Sequence, residues 1–139
     1  MLVGLFLVYG PKILIIFLMD NVKMNIIEKT DEEILEIAHP MWADLVKYSN
    51  EGNYGAFTRN FSTAMQMGAN EIEMGKQFAR SDLAKNLSEN YEYLGMIRRG
   101  EHVTVLYKQI NSKDKGEWLG RLVLGYEKEK VKIFGATLF

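Results

Sequence analysis

Two histidines, a carboxylate near the first of them, and a set of aromatic side chains are the residues of this chain whose types could do chemistry. His39 and Asp44 flank Trp42 in the stretch HPMWAD. A histidine with a nearby carboxylate has the makings of a general base, because imidazole changes charge near neutrality. The spacing works against a tight pair. Residues five apart on an ideal helix lie about 140° apart around its axis, so only a kink at Pro40 would turn one toward the other. His102 opens an alternating run beside Arg98, Arg99 and Glu101, where a solvated turn is the simpler reading. Arg98 and Arg99 are neighbours in the expected turn Arg98–Glu101, where adjacent residues point to opposite faces, which argues against a shared anion.

The aromatic set is more informative. Trp42, Tyr48, Tyr54, Phe57, Tyr107, Trp118 and Tyr126 combine apolar area with, in most cases, a polar handle. They are the candidate ligand-binding residues, for a small apolar molecule with a few polar groups. The competing reading is an ordinary core. Met65, Met67 and Met74 add pliable apolar surface in the same part of the chain.

Several chemistries have no support. The chain has no cysteine, which removes disulfides and thiolates. Two distant histidines do not make a histidine-rich metal site, and the loop SKDKGE lacks metal-loop spacing. No metal or cofactor is expected. A net charge of −1 with scattered basic residues offers no stripe for nucleic acid. Neither a phosphate-binding glycine loop nor a nucleophile motif is present.

These residues need elements to position them, and the strongest is Thr30 to Gly52. Thr30 and Glu33 have capping-box spacing, and Asp31, Glu32 and Glu33 place negative charge at the positive end of a helix. Ile34, Ala38, Met41, Leu45 and Tyr48 recur at helical steps, with Trp42 and Val46 widening the stripe. Gly52 stands where a left-handed cap belongs. Pro40 removes a backbone bond, so the spacing predicts a kink there or a second helix starting at Pro40. Asn53 caps a short helix carrying Tyr54, Phe57 and Phe61, and a short strand is expected over 62–68. Asn70 with Glu73 opens a further helical rhythm that runs to about Asn90.

From Tyr91 the period becomes two. Runs at Tyr91–Ile97, His102–Ile110, Trp118–Tyr126 and Val131–Phe139 are joined by short connections, which predicts an antiparallel meander. In the last run Val131, Ile133, Gly135 and Phe139 share one face, with Phe134, Ala136 and Leu138 on the other. Glycines at 95, 120, 125 and 135 suggest bends or bulges in a strongly curved sheet. The order is helix, helix, strand, helix and four strands, an α+β fold with helices on one face of the sheet.

The 139 residues suffice for one domain, and 47% hydrophobic content suffices for a core. Residues 1–24 form an apolar leader ahead of a domain at 25–139. Gly10, Pro11 and Lys12 interrupt the apolar run 2–19 at its middle. The leading expectation is a start assigned too far upstream, with Met19 and Met24 as alternatives, in a cytoplasmic protein. A membrane tether through residues 2–19 is the second.

The stretch MWADLVKYSNEGNYGAFTRNFSTAM and the ending GRLVLGYEKEKVKIFGATLF resemble the nuclear transport factor 2-like superfamily, the cystatin-like cone that also houses ketosteroid isomerase and polyketide cyclases. The resemblance runs from about Thr30 to Phe139. It implies a curved sheet wrapped round the long first helix, a pocket at the wide end, and a homodimer formed through the sheet. It does not carry a catalytic set across: the strands His102–Ile110 and Trp118–Tyr126 contain no aspartate or glutamate. The reading is therefore a non-catalytic small-molecule-binding or protein-interaction domain. The alternative is a pocket enzyme of isomerase, dehydratase or cyclase type, using His39, Asp44 or a tyrosine.

Overall fold

The computed structural model describes residues 24–68, 76 and 81–139. Apart from Met24, the apolar leader lies outside the described residues. Among the described residues no helix is long and apolar enough to cross a membrane.

Helix α1 spans Asp31–Glu51. The Thr30 hydroxyl accepts from the Glu33 N–H, and the Glu33 carboxylate accepts from the Thr30 N–H at 3.0 Å. Those bonds hold the Glu33 carboxyl below its ordinary pKa. Gly52 closes the helix at φ 66°, a left-handed conformation that favours glycine. Pro40 lies inside one continuous helix, so the division into two helices does not occur. Ile34, Ala38, Trp42, Leu45, Val46 and Ser49 are its buried residues. Tyr48, expected in the stripe, is only half-buried. Ser49 takes the inward position and donates from its hydroxyl to the Ala84 carbonyl.

Helix α2, Tyr54–Phe57, is capped by the Asn53 side chain as its sequence predicts. The expected strand over 62–68 is instead helix α3, Thr63–Gly68. The Ser62 hydroxyl accepts from the Met65 N–H, and a serine cap outweighs the weak apolar alternation around Gln66. Among the described residues of this stretch, Phe61 alone pairs with the sheet, as a single parallel bridge to Ile133.

Of the helical rhythm expected from Asn70 to Asn90, residues 70–75 and 77–80 lie outside the described residues. Its end is corrected. Leu83–Lys85 is one 3-10 turn, and strand begins at Leu87, four residues before the expected start. The Asn50 side chain accepts from the Leu87 N–H and donates to the Leu87 carbonyl, both at 2.8 Å, and so fixes that start.

The sheet comprises β1 Leu87–Arg99, β2 His102–Asn111, β3 Glu117–Glu127 and β4 Lys130–Leu138. It is an open antiparallel meander in the order β1-β2-β3-β4. The inner face, against α1, buries Val103, Val105, Tyr107, Leu122, Leu124 and Ile133. Bulges interrupt the register between Tyr93 and Gly95 and opposite Val123/Leu124. The second inserts Phe134 into β4 and reverses the alternation there. Ile133 faces inward before it, and Ala136 and Leu138 pack on the core after it. The strict alternation expected along this strand is therefore wrong beyond Ile133.

The short Ile26–Glu28 turn completes the packing with a fully buried Ile26. Arg98, on the inner side of β1, holds this segment down. It donates to the carbonyls of Ile27 and Lys29 and pairs with the Asp31 carboxylate at 2.6 Å. Arg99 is exposed, in keeping with opposite faces for the two arginines.

Candidate functional site

The middle of α1 and the inner face of the sheet build one aromatic cluster. Register places Tyr93, Tyr107, Gly120 and Leu138 in one row across the four strands. Trp42 lies over this row. Its ring stacks on Tyr107 with centroids 4.9 Å apart and planes at 21°. A Cβ on Gly120 would stand 2.5 Å from the indole, so glycine is the residue that lets the helix seat this ring. In the next row, the Trp42 indole N–H donates to Gln109 Oε1 at 3.0 Å. Gln109 is fully buried and donates in turn to the carbonyls of Ser88 and Ile110. Each polar atom of this buried pair is thus answered, as the low-dielectric interior demands.

One turn of helix back from Trp42, His39 Nδ1 and the Tyr107 hydroxyl are 2.9 Å apart. The rings of Tyr91, Tyr93 and Tyr107 surround the imidazole at centroid distances of 6.5, 5.8 and 5.6 Å. The Tyr91 hydroxyl donates to the His39 carbonyl. Burial, and to a lesser degree the neighbouring Tyr91 and Tyr93, push the Tyr107 hydroxyl well above the usual phenol range. Burial raises Tyr91 as well. Tyr107 therefore keeps its proton at any physiological pH. It is no base here, and the imidazole tautomer sets which of His39 Nδ1 and the Tyr107 hydroxyl donates.

The candidate residues separate into groups. Trp42, Tyr107 and His39 come together in the cluster. Asp44 is exposed on the far side of α1 and does not face His39. Tyr48 is half-buried away from the cluster, with Lys47 Nζ and Arg59 Cζ at 5.2 and 5.7 Å from its ring centroid. Tyr54 and Phe57 belong to α2, where Phe57 meets Phe61 edge to face at 5.6 Å. Trp118 is half-buried opposite Gln109, and Tyr126 packs on the core at the other end of β3. His102 faces away from the cluster and lies edge-on to Phe134 at 4.7 Å, above Gly125. It is packed, and not part of a solvated turn. Among the described residues no group of three histidine, cysteine or acidic side chains could hold a metal ion.

Sequence reasoning passed over Gln109, Tyr91 and Tyr93. The signal for Gln109 was present: it continues the parity of Val103, Val105 and Tyr107, so it places an amide on an apolar face. The two tyrosines also sit two apart in a period-two run. Their role depends on which residues of α1 they meet, which strand periodicity does not contain.

The outer face of the sheet presents a different surface. Ile97, Thr104 and Val123 form one row, and Leu106, Arg121 and Thr137 the next. Leu119 and Phe139 pair beyond them through both backbone bonds. Ile97, Leu119 and Phe139 are 54%, 40% and 61% exposed, and Leu94 stands exposed at the β1 bulge. The charges of this face are balanced. Lys108 pairs with Glu92 at 3.0 Å and Glu117 at 3.3 Å, and Arg121 lies over the Phe139 ring.

Comparison with known proteins finds no family model, no curated protein and no solved structure that matches the chain.

Proposed function

We propose that this protein is a non-catalytic protein-interaction domain of the nuclear transport factor 2-like type, acting as a homodimer and meeting a protein surface through its sheet. One observation carries the reading. The inner face is filled by its own side chains, with Trp42 seated on Tyr107 and Gly120, while the outer face leaves Ile97, Leu119 and Phe139 in water. A filled interior leaves little room for a small ligand, and large apolar side chains left in water on one sheet face favour a surface that meets a partner. The helix before a four-stranded meander fits the cone-shaped architecture of that superfamily.

Native mass spectrometry of the full chain tests this. The expected spectrum is a dimer without a small-molecule adduct. A defined extra mass that survives gentle activation overturns the filled-interior reading. The face is tested by titration with an anilinonaphthalene sulfonate dye, with binding expected to fall in Leu119→Lys and to be unchanged in His39→Ala.

The pocket-enzyme alternative is favoured by one contact, His39 Nδ1 to the Tyr107 hydroxyl. In that reading His39 is the acid or base and Tyr107 orients it. The same dye experiment speaks to it: a probe lost in His39→Ala and kept in Leu119→Lys places the ligand site inside.

A further inference from the structure

The two edges of the sheet are built differently. β1 carries Glu89, Glu92, Arg98 and Arg99 along its length, the charges that keep a free strand from pairing with another chain. From Ile133 to Phe139 the chain reads IFGATLF, with no charge and no proline. The start of this edge is already used by the chain itself. The Ile133 N–H donates to the Asn60 carbonyl at 2.7 Å, and the Ser62 N–H donates to the Ile133 carbonyl at 2.8 Å. The chain then turns away into α3, and beyond Ile133 the edge is open among the described residues.

The register fixes which groups this open edge offers. Leu119 and Phe139 exchange both backbone bonds, so the polar groups of Phe139 face β3. Strand alternation then points those of Leu138 and Ala136 outward, to the free edge. Between them, Thr137 presents a buried Oγ1 with no hydrogen-bond partner among the described residues. A buried hydroxyl left unanswered is destabilising, and natural structures rarely tolerate it.

We propose that the β4 edge pairs antiparallel with β4 of a second copy of this chain, with Thr137 opposite Thr137 of that copy. Ala136 and Leu138 of each chain then exchange backbone bonds with Leu138 and Ala136 of the other, on either side of the two-fold axis. Thr137 meets its counterpart as a non-hydrogen-bonded pair, the position where side chains approach most closely. Facing threonines in such a pair bond through their hydroxyls, which answers Oγ1. The uncharged segment Ala136–Leu138 meets its own copy without opposing like charges, and an isologous contact about a two-fold axis closes on itself. The product is one continuous sheet with the two outer faces side by side. The inference deepens the proposed function and rests on its reading of the sheet as the meeting surface.

The absence of native cysteine makes the test clean. In the full chain, Thr137→Cys is oxidised mildly at dilute concentration and compared with Ser112→Cys in the exposed β2–β3 loop. A non-hydrogen-bonded antiparallel pair places its Cα atoms within disulfide range, so the Thr137 variant is expected to cross-link about tenfold faster or more. Rates equal to those of the loop variant overturn the proposal. A second variant, Thr137→Lys, places like charges across the axis. It is expected to sediment as a monomer with unchanged circular dichroism, and a dimer that persists refutes the edge contact. Leu119→Lys separates the two ideas. Cross-linking at residue 137 is expected to survive it while dye binding falls. Dye binding without cross-linking retains the outer-face reading and removes the edge.

Discussion

The inner and outer faces of this sheet are made by alternate residues of the same four strands, yet they obey different rules. On the inner face, each large side chain is matched to a neighbour. Trp42 needs Gly120 beneath it and Gln109 beside it, and Tyr107 needs His39. On the outer face, apolar side chains follow the same alternation but meet water, Lys108 pairs with Glu92 and Glu117, and Arg121 lies over the Phe139 ring. The difference is one of mutual constraint. A face closed by a helix is determined at each position by what the helix brings. A face without a partner among the described residues is determined only by strand propensity and solubility.

Substitutions that ask how tightly the inner face is constrained carry the largest expected effects. Trp42→Ala removes a buried indole and leaves its cavity, and a loss of about 4 kcal/mol is expected in urea unfolding. Gly120→Ala alone is expected to cost about 2 kcal/mol, because the new methyl overlaps the ring. In the Trp42→Ala background that second cost should vanish. A cycle with no coupling between positions 42 and 120 would break the account of Gly120 as a seat for the ring.

Gln109→Leu is the next step down. It keeps the volume but strands the indole N–H of Trp42 in the core, an effect expected at about 2 kcal/mol. The matching Trp42→Phe, Gln109→Leu pair removes both partners and should recover most of that loss. If the single and double variants are equally unstable, the hydrogen bond between them is not what holds the inner face in register.

How far the sequence revealed these faces can be judged from particular residues. The helix from Thr30 to Gly52 and the four-strand meander were legible because caps, glycine and period are local signals. The bond between Thr30 and Glu33 needs nothing from the rest of the fold. The strand beginning at Leu87 was missed because its start is set by Asn50, from the far end of α1. Thr63–Gly68 was misread because three apolar residues, Ala64, Met65 and Met67, around one glutamine suit either a strand or a helix turn, and only the Ser62 cap decides. The faces of β4 were misread beyond Ile133 because one bulge shifts every later side chain. At the candidate site, Trp42 and Tyr107 were named but their pairing was not, since stacking across α1 and β2 is a tertiary fact. Asp44 was named for its nearness in sequence to His39, and helical geometry alone separates them.

A third region, outside both faces, supplies a smaller and pH-dependent effect. The Glu127 carboxylate at the end of β3 accepts from the Thr63 N–H and from the Thr63 hydroxyl at 2.7 Å. These bonds, and to a lesser extent Lys128 and Lys132, lower its pKa from the ordinary 4.5. A carboxyl lowered on folding stabilises the fold above its unfolded pKa, and that contribution is lost as pH falls through the folded value. Unfolding midpoints followed from pH 6 down to pH 3 are therefore expected to fall less steeply in Glu127→Gln than in the parent. Identical slopes would mean that the latch between α3 and β3 is not formed in solution.

The outer face yields the smallest expected change, and for that reason the sharpest contrast. Leu119 is an apolar residue of the same strand as Gly120, one position along, and its side chain stands 40% exposed. If the two faces are constrained as differently as the contacts imply, Leu119→Lys should alter unfolding free energy by less than about 0.5 kcal/mol. That is a small fraction of the cost expected for one methyl at the adjacent glycine. Urea unfolding at low protein concentration checks this, where any contact between copies is diluted away. A loss comparable to that of Gly120→Ala would show that the outer face is packed within a single chain, by residues other than the described ones. The sheet would then have two closed faces and no docking surface. A negligible loss at low concentration that grows as the protein is concentrated would instead show that what covers Leu119 is another molecule of the same chain.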